Sequence, residues 1–331
     1  PVPTAATGNV TLDDVEDVAF SASFLSDQTL MVITESVGTA GGVVGEVALH
    51  IFSFNTNNWD AAIDVSFPRI LEASPGGAVV TCARAEIAQD ANFFVADEAS
   101  QIGFIGADIT TPAGTQAGGV YRIGTYTVAG GIETMTQIMA GTAIRSVAWD
   151  GTNLMAAQNA AGGNIWRSST ALSVVPAFIQ NSGLKAPTSA TGVVAEVIFN
   201  GENGYAFCNT ASGGIAKSTD FGKSWNGIAL MSDDSFEDVY DMWTSPDAAV
   251  RYFVADNGVD TWVWRQQGGA TERIMNLGGT GVAYLVRADA DNPSSVYVGR
   301  AGGVNMFKSV DSGDFVWTAR SAPANIADLA V

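Results

Sequence analysis

Histidine is almost missing from this chain of 331 residues: His50 is alone, beside two cysteines, Cys82 and Cys208. A single histidine excludes a His-rich metal centre. His50 lies in Val47-Ala48-Leu49-His50-Ile51-Phe52, without a nucleophile motif nearby, which argues against a Ser-His-Asp triad and for a packed strand residue. The cysteines fall in separate apolar, strand-like segments, Val79 to Cys82 and Tyr205 to Cys208, with no CxxC spacing. Buried free thiols are therefore expected in place of a disulfide framework. Although 47% of residues are apolar, no run is long enough for a membrane-spanning helix. The glycine pairs Gly118-Gly119 and Gly302-Gly303 precede strand-like runs, so they offer no phosphate cradle at a helix start.

Positive charge is scarce as well. Fifteen Lys+Arg, only four of them lysine, face 34 Asp+Glu for a formal net charge of -19. Such a balance repels phosphate backbones and anionic lipid, so neither nucleic acid nor membrane insertion is expected, and cations become the natural small partners. A low-lysine, acidic composition rich in Gly, Ala, Thr and Ser suits an exported or cell-surface protein. The start at Pro1, without Met, reads as a processed or excised product with any export signal removed.

What the chain does have is an internal repeat. A glycine-rich turn, an apolar or aromatic residue and then a basic residue recur at Arg122, Arg167, Lys217, Arg265 and Lys308, at intervals of 45, 50, 48 and 43 residues. That is the spacing of four-stranded propeller blades. Within each period short β-rich runs alternate with Gly, Asn and Asp turns, as in Ile144 to Trp149, Asp150-Gly151, and Asn153 to Ala157. One four-stranded sheet cannot bury both faces alone, so stacking of blades supplies the core.

These features predict an all-β fold, a β-propeller of four-stranded antiparallel blades. Residues 1–9 form a linker and 10–331 a single propeller domain. Blades are expected near 10–70, 75–140, 141–182, 190–232, 236–279 and 280–322, giving six, with seven as the alternative. The first two are long, with surface insertions at Ser36 to Gly45 and Asp108 to Gly118. Ile326 to Val331 resembles a first strand that either closes the ring or begins an unfinished blade.

Lys217-Ser218-Thr219-Asp220-Phe221-Gly222-Lys223-Ser224-Trp225 fits Ser-x-Asp-x-Gly-x-Ser/Thr-Trp at every fixed position. Ser309-Val310-Asp311-Ser312-Gly313-Asp314-Phe315-Val316-Trp317 is a degenerate copy with Trp one residue late. Trp166-Arg167-Ser168-Ser169 keeps only the opening. The pattern resembles the Asp-box (BNR) repeat of sialidase-type and sortilin-type propellers, photosystem assembly factors and bacterial surface proteins. The resemblance implies that the box lies between the third and fourth strands, away from the ligand face. It implies structural roles for Ser218, Asp220, Gly222, Ser224, Trp225, Ser309, Asp311, Gly313 and Trp317. Physically, Asp accepts turn amides, Gly adopts positive φ and Trp packs between sheets.

Sialidase chemistry would further need three converging arginines, a Tyr with an acidic partner and an Arg-Ile-Pro segment. Phe67-Pro68-Arg69-Ile70 has that order wrong, and Arg122, Arg167, Arg265 and, through its neighbour strand, Arg145 read as a structural ladder. Asp17, Glu196, Asp241 and Asp328 align near the start of the innermost strand. Converging carboxylates there would line a hydrated tunnel or hold a Ca²⁺-type cation. Two further acidic runs, Asp233 to Asp238 and Asp289-Ala290-Asp291-Asn292, read as solvated turns. No catalytic set emerges. The expected function is a non-enzymatic extracellular or cell-surface propeller for assembly or adhesion, as in a surface layer or envelope, with protein partners or self-assembly. A glycan-active propeller, hydrolase or lectin-like, is the alternative.

Overall fold

A computed structural model describes residues 14–36, 45–60, 63, 66–74, 79–94, 97–128, 131–181, 187, 193–209, 214–230, 238–256, 261–277, 281–314 and 317–331. Among the described residues strands dominate, joined by turns that include a helical one at Phe24–Asp27 and a 3-10 one at Glu98–Ser100. The fold is an all-β propeller of six antiparallel blades, as the repeat spacing predicted. The chain divides into two compact units of three blades each, the first holding residues 1–159 and 165–180, the second 160–164 and 181–331. The 1–9 segment, most of the 36–45 insertion and most of the 233–238 acidic run lie outside the described residues.

In the first unit, blade 1 comprises Asp14–Phe20, Thr29–Ser36, Gly45–Ser53, and an outer position shared by two pieces, Asn58–Trp59 and Arg69–Ser74. Both pieces pair with Gly45–Ser53, which explains the blade's extra length. Blade 2 comprises Thr81–Gln89, Gly103–Thr110, Gly119–Val128 and Gly131–Ala140, and blade 3 Ile144–Trp149, Leu154–Gln158, Ile165–Ser168 and Ile179–Gln180. The 108–118 insertion is a closed surface turn, with Gln116 Nε2 donating to Asp108 Oδ1 at 2.7 Å.

In the second unit, blade 4 comprises Val193–Asn200, Asn203–Asn209, Gly214–Ser218 and Asn226–Leu230. Blade 5 comprises Asp238–Thr244, Val250–Asp256, Thr261–Gln267 and Ala270–Asn276, and blade 6 Tyr284–Ala288, Val296–Arg300, Asn305–Ser309 and Thr318–Ser321.

Second strands lie between neighbouring strands and neighbouring blades, so they are buried on both faces and lose the alternating pattern. Val250–Asp256 is buried at every residue and reads as the run Tyr252-Phe253-Val254-Ala255. The outer strand of blade 6 is wet: Thr318–Ser321 is exposed throughout. Apolar cores form between consecutive blades, for example Phe104, Val120, Ile144, Val147 and Leu154 between blades 2 and 3. Their closeness demands Gly106, where a Cβ would stand 2.5 Å from Ile144 Cγ2 and 2.6 Å from Val147 Cγ1.

The C-terminal segment departs from expectation. Ile326 makes a parallel bridge to Ala301, donates to Gly303 O and accepts from Gly302 N, each at 2.8 Å, and buries its side chain on blade 6. Residues 327–331 form no strand. The pattern match was to a first strand, but the blade 6 turn at 301–303 offers free backbone groups that capture the segment as a tail.

Candidate functional site

Each blade places its first-to-second and third-to-fourth turns at one end and the start of its first strand at the other, as a meander requires. The turn end is pinned by Asp side chains. Ser218 Oγ donates to Asp220 Oδ1 at 2.8 Å and accepts from Gly222 N at 2.8 Å, while Asp220 accepts from Ser224 N (2.9 Å) and Ser224 Oγ (2.7 Å). Burial opposes ionisation of Asp220, but the hydrogen bonds from Ser224 and Ser218 outweigh it and hold the carboxyl below its usual range. Gly222 takes φ 78°, and Trp225 is buried.

The blade 6 turn repeats this with Ser309 Oγ donating to Asp311 Oδ1 at 2.5 Å and accepting from Gly313 N at 2.9 Å. Trp317, one residue late, still reaches back to blade 5 and donates to Ile274 O at 3.2 Å. The first-to-second turns use Asp too: Asp90, Asp150, Asp247 and Asp289 accept amides two residues on. Asp289 therefore serves its own turn, accepting from Asp291 N and Asn292 N. This second set is legible in the sequence as an Asp in the turn before the second strand of blades 2, 3, 5 and 6.

At the opposite end, the first strands of blades 1 to 5 each carry a bulge, whose extra residues are Glu16, Ala83, Arg145, Ala195 and Tyr240. Asp17, Glu196 and Asp241 follow the bulge in equivalent places, as the alignment expected, but Asp328 lies on the tail. Asp17 Oδ2 accepts from Ile87 N at 2.7 Å, Glu86 Oε2 from Val147 N at 2.8 Å, and Asp241 Oδ2 from Val286 N at 2.6 Å. A first strand has one edge without a strand partner, and the preceding blade's carboxylate satisfies it.

Arg287 bridges Asp241 at 2.5 Å and Asp328 at 3.3 Å, tying the tail to blades 5 and 6. Burial pushes the Asp241 carboxyl up, against the pull of Arg287 and the Val286 amide. Among the described residues, no three His, Cys, Asp or Glu side chains group closely enough to hold a metal ion. Glu16 is pushed up to about 7 by burial, then by Asp14 and Glu35, with Arg84 opposing. Tyr240 donates a short hydrogen bond to Asp256, and burial followed by that bond raises its phenol.

Other singled-out residues pack within or between neighbouring blades. His50 is buried with Nδ1 2.8 Å from Asp60 Oδ2, and Asp60 Oδ1 accepts from Ile51 N at 3.1 Å, filling the gap between the two outer pieces of blade 1. Both cysteines are free and buried, and burial pushes the Cys82 thiol up. Arg122 and Arg265 each reach the third-to-fourth turn of the next blade, at Ala171 O and Ser173 O and at Ser312 O respectively, as a ladder requires of these two.

One exposed surface was not foreseen. On blade 1, Phe20, Phe24, Phe54, Phe52 and Trp59 form a chain of rings with successive centroids 4.7, 5.7, 4.9 and 4.8 Å apart. Phe54 is 49% exposed and Leu25, on the Phe24–Asp27 turn, 96%. The platform is braced: Ser21 Oγ donates to Asp27 at 2.6 Å, and Gln89 of blade 2 donates to Phe20 O and accepts from Ala22 N. Four phenylalanines in pairs two or four residues apart were the available signal, but strands and a turn had to bring the pairs together.

No family model matches this chain, and no curated protein is significantly similar to it. Solved structures share its fold, that of the β-propellers. One of two prolyl endopeptidases is similar at TM-score 0.58 and 12% identity, over 96% of this chain and 43% of that one. The Dos1 propeller matches at 0.52 and 11%, over 92% and 72%, and YCF48 bound to D1 peptide at 0.52 and 13%, over 96% and 86%. Among the described residues, no helix is long and apolar enough to cross a membrane.

Proposed function

We propose that this chain is a non-enzymatic propeller working through protein contacts, as an assembly or adhesion component outside the cell or on its surface. The aromatic surface of blade 1 carries the reading. Its rings meet at tilted and edge-on angles, from 42° to 85°. Such a surface suits apolar protein side chains better than the flat face a sugar ring stacks on. The Ser218–Trp225 and Ser309–Trp317 turns support a place among Asp-box propellers, and YCF48, bound to D1 peptide, supports a peptide or protein ligand. The acidic, lysine-poor composition supports an exported location. A Ca²⁺ contribution to assembly belongs to the same reading, and size exclusion with Ca²⁺ and then a chelator tests it.

The deciding measurement is binding of the labelled chain to producing cells. Saturable binding that protease treatment removes and periodate leaves intact is expected, with Leu25→Asp/Phe54→Asp weakening it about ten-fold or more. Binding lost to periodate but not to protease would favour the glycan alternative, and a double variant that binds like wild type would remove the aromatic surface from the reading.

A further inference from the structure

Residues directly opposite one another on paired strands share a face, so each blade carries cross-strand rows. Near the turn end, blade 4 has the row Phe199, Gly204, Ser218 and blade 6 the row Ala288, Val296, Ser309, each ending on the serine that opens its third-to-fourth turn. Blade 5 has Thr244, Arg251 and Gln266 in that row instead. It also replaces the Ser-x-Asp-x-Gly turn with the short hairpin Gly268-Gly269, at φ 60° and 83°, where a Cβ at either position would meet no atom within 4 Å. The repeat thus changes a polar row and a turn together, at one place in the second unit.

Arg251 is 8% exposed, and no Asp or Glu among the described residues forms an ion pair with it or with Lys217. Its Cζ lies 4.1 Å from the ring centroid of Tyr205 in blade 4, and Lys217 Nζ stands 5.7 Å from the same centroid. Stacking on a ring leaves the edges of the planar guanidinium free. Nη1 donates to Gln266 Oε1 at 2.7 Å, whereas the buried Nε meets no acceptor and the buried Thr244 Oγ1 meets no partner. Burial disfavours the charge of Arg251, with Tyr205 opposing. Asp247, the acid of the adjoining turn, is held there, accepting from Ser245 Oγ and Ala249 N. Lys217, Thr244 and Gln266 are only half-buried, so the row is reachable from solvent. Two cations that share one ring without a carboxylate, in a chain with 34 Asp+Glu, repel each other until an anion joins them.

We propose that Arg251, Lys217 and Thr244 bind an oxyanion between blades 4 and 5, the oxygens of a carboxylate, sulfate or phosphate group. The free guanidinium edge at Nε supplies a directed, charge-assisted hydrogen bond, the Lys217 ammonium a second charge, and the Thr244 hydroxyl a donor that rotates to suit. Charge selects the ligand, because a neutral molecule or a cation would leave both positive groups uncompensated. Gln266 is a positioning residue: by holding Nη1 it fixes which edge of the guanidinium stays open. A clamp of Arg251 on Tyr205 alone would need only the ring, and would leave Nε and Thr244 Oγ1 unsatisfied at a cost. The blade 1 rings take no part, so oxyanion binding is separate from cell binding.

Titration calorimetry of the purified chain with phosphate, sulfate and acetate, at fixed ionic strength with chloride as the reference anion, tests this directly. Saturable binding of at least one of the three is expected, and the ranking of phosphate and sulfate against acetate tells a tetrahedral ligand group from a planar one. Arg251→Gln should weaken binding about ten-fold or more, and Lys217→Gln and Thr244→Val each several-fold. The last two keep the contact of Arg251 with Tyr205, so they test the site even where Arg251→Gln does not fold. Leu25→Asp/Phe54→Asp should bind the ions as wild type does. A wild-type chain that binds none of the three saturably, or folded Lys217 and Thr244 variants that bind as wild type does, would overturn the proposal.

Discussion

Asp17 of blade 1 accepts the backbone N–H of Ile87 in blade 2, Oδ2 to N at 2.7 Å, and Glu86 passes the same bond on to Val147 of blade 3. Carboxylates here act as links between sheets. Removing one strands a partly buried amide, so Asp17→Ala should cost about 1–3 kcal/mol. Urea unfolding should show this at unchanged m-value. Asp17→Ala and Glu86→Ala should each show it, and an effect within noise for both would refute the linking role.

Glu16 gives the stability a pH dependence of definite sign. Its folded carboxyl titrates at about 7 against an ordinary value of 4.5, so the folded state holds more protons between those limits. Stability from this group is therefore complete below pH 4.5 and lost as pH rises through 7. Glu16→Gln should stabilise the chain at pH 8 by about 1–3 kcal/mol and leave it little changed at pH 4.5. Thermal melts of both proteins across that range provide the comparison.

Asp220 has the opposite sign. Its lowered carboxyl contributes above the ordinary value of 3.8 and the contribution disappears as pH falls through the folded value. Asp220→Ala should cost about 1 kcal/mol at pH 7 through lost bonds to Ser218 and Ser224. The difference from wild type should narrow in strong acid, measured by fluorescence of Trp225 beside the turn.

Gly106→Val should be the most damaging of these changes. Its side chain would drive into Ile144 and Val147, both on the first strand of blade 3, at a cost of about 3 kcal/mol or more. Limited proteolysis should then cut within the first unit, whereas Gly114→Ala, with open space at the Cβ and only the strain of φ 73° to bear, should cost about 1–2 kcal/mol and be cut far less.

The order and number of blades were legible from residue spacing, because each sheet is made of consecutive strands whose turns are punctuated locally by Gly, Asn and Asp. Ser218 to Trp225 and Ser309 to Trp317 were legible for the same reason: the bonds from Ser218, Asp220, Ser309 and Asp311 that shape those turns join residues within a few positions. Three features depended on tertiary structure. Ile326 to Val331 reads as a strand but is captured by backbone groups at 301–303, a choice made by which edge stands free. Asp17 and Asp241 are placed near the strand start by the repeat, but the amides they accept lie some seventy and forty-five residues away and no local pattern names them. Phe20, Phe24, Phe52 and Phe54 meet only once the first and third strands of blade 1 have both paired with the second. Local bonding is written in adjacent residues, whereas exposure and long-range partners follow from packing that no single segment contains.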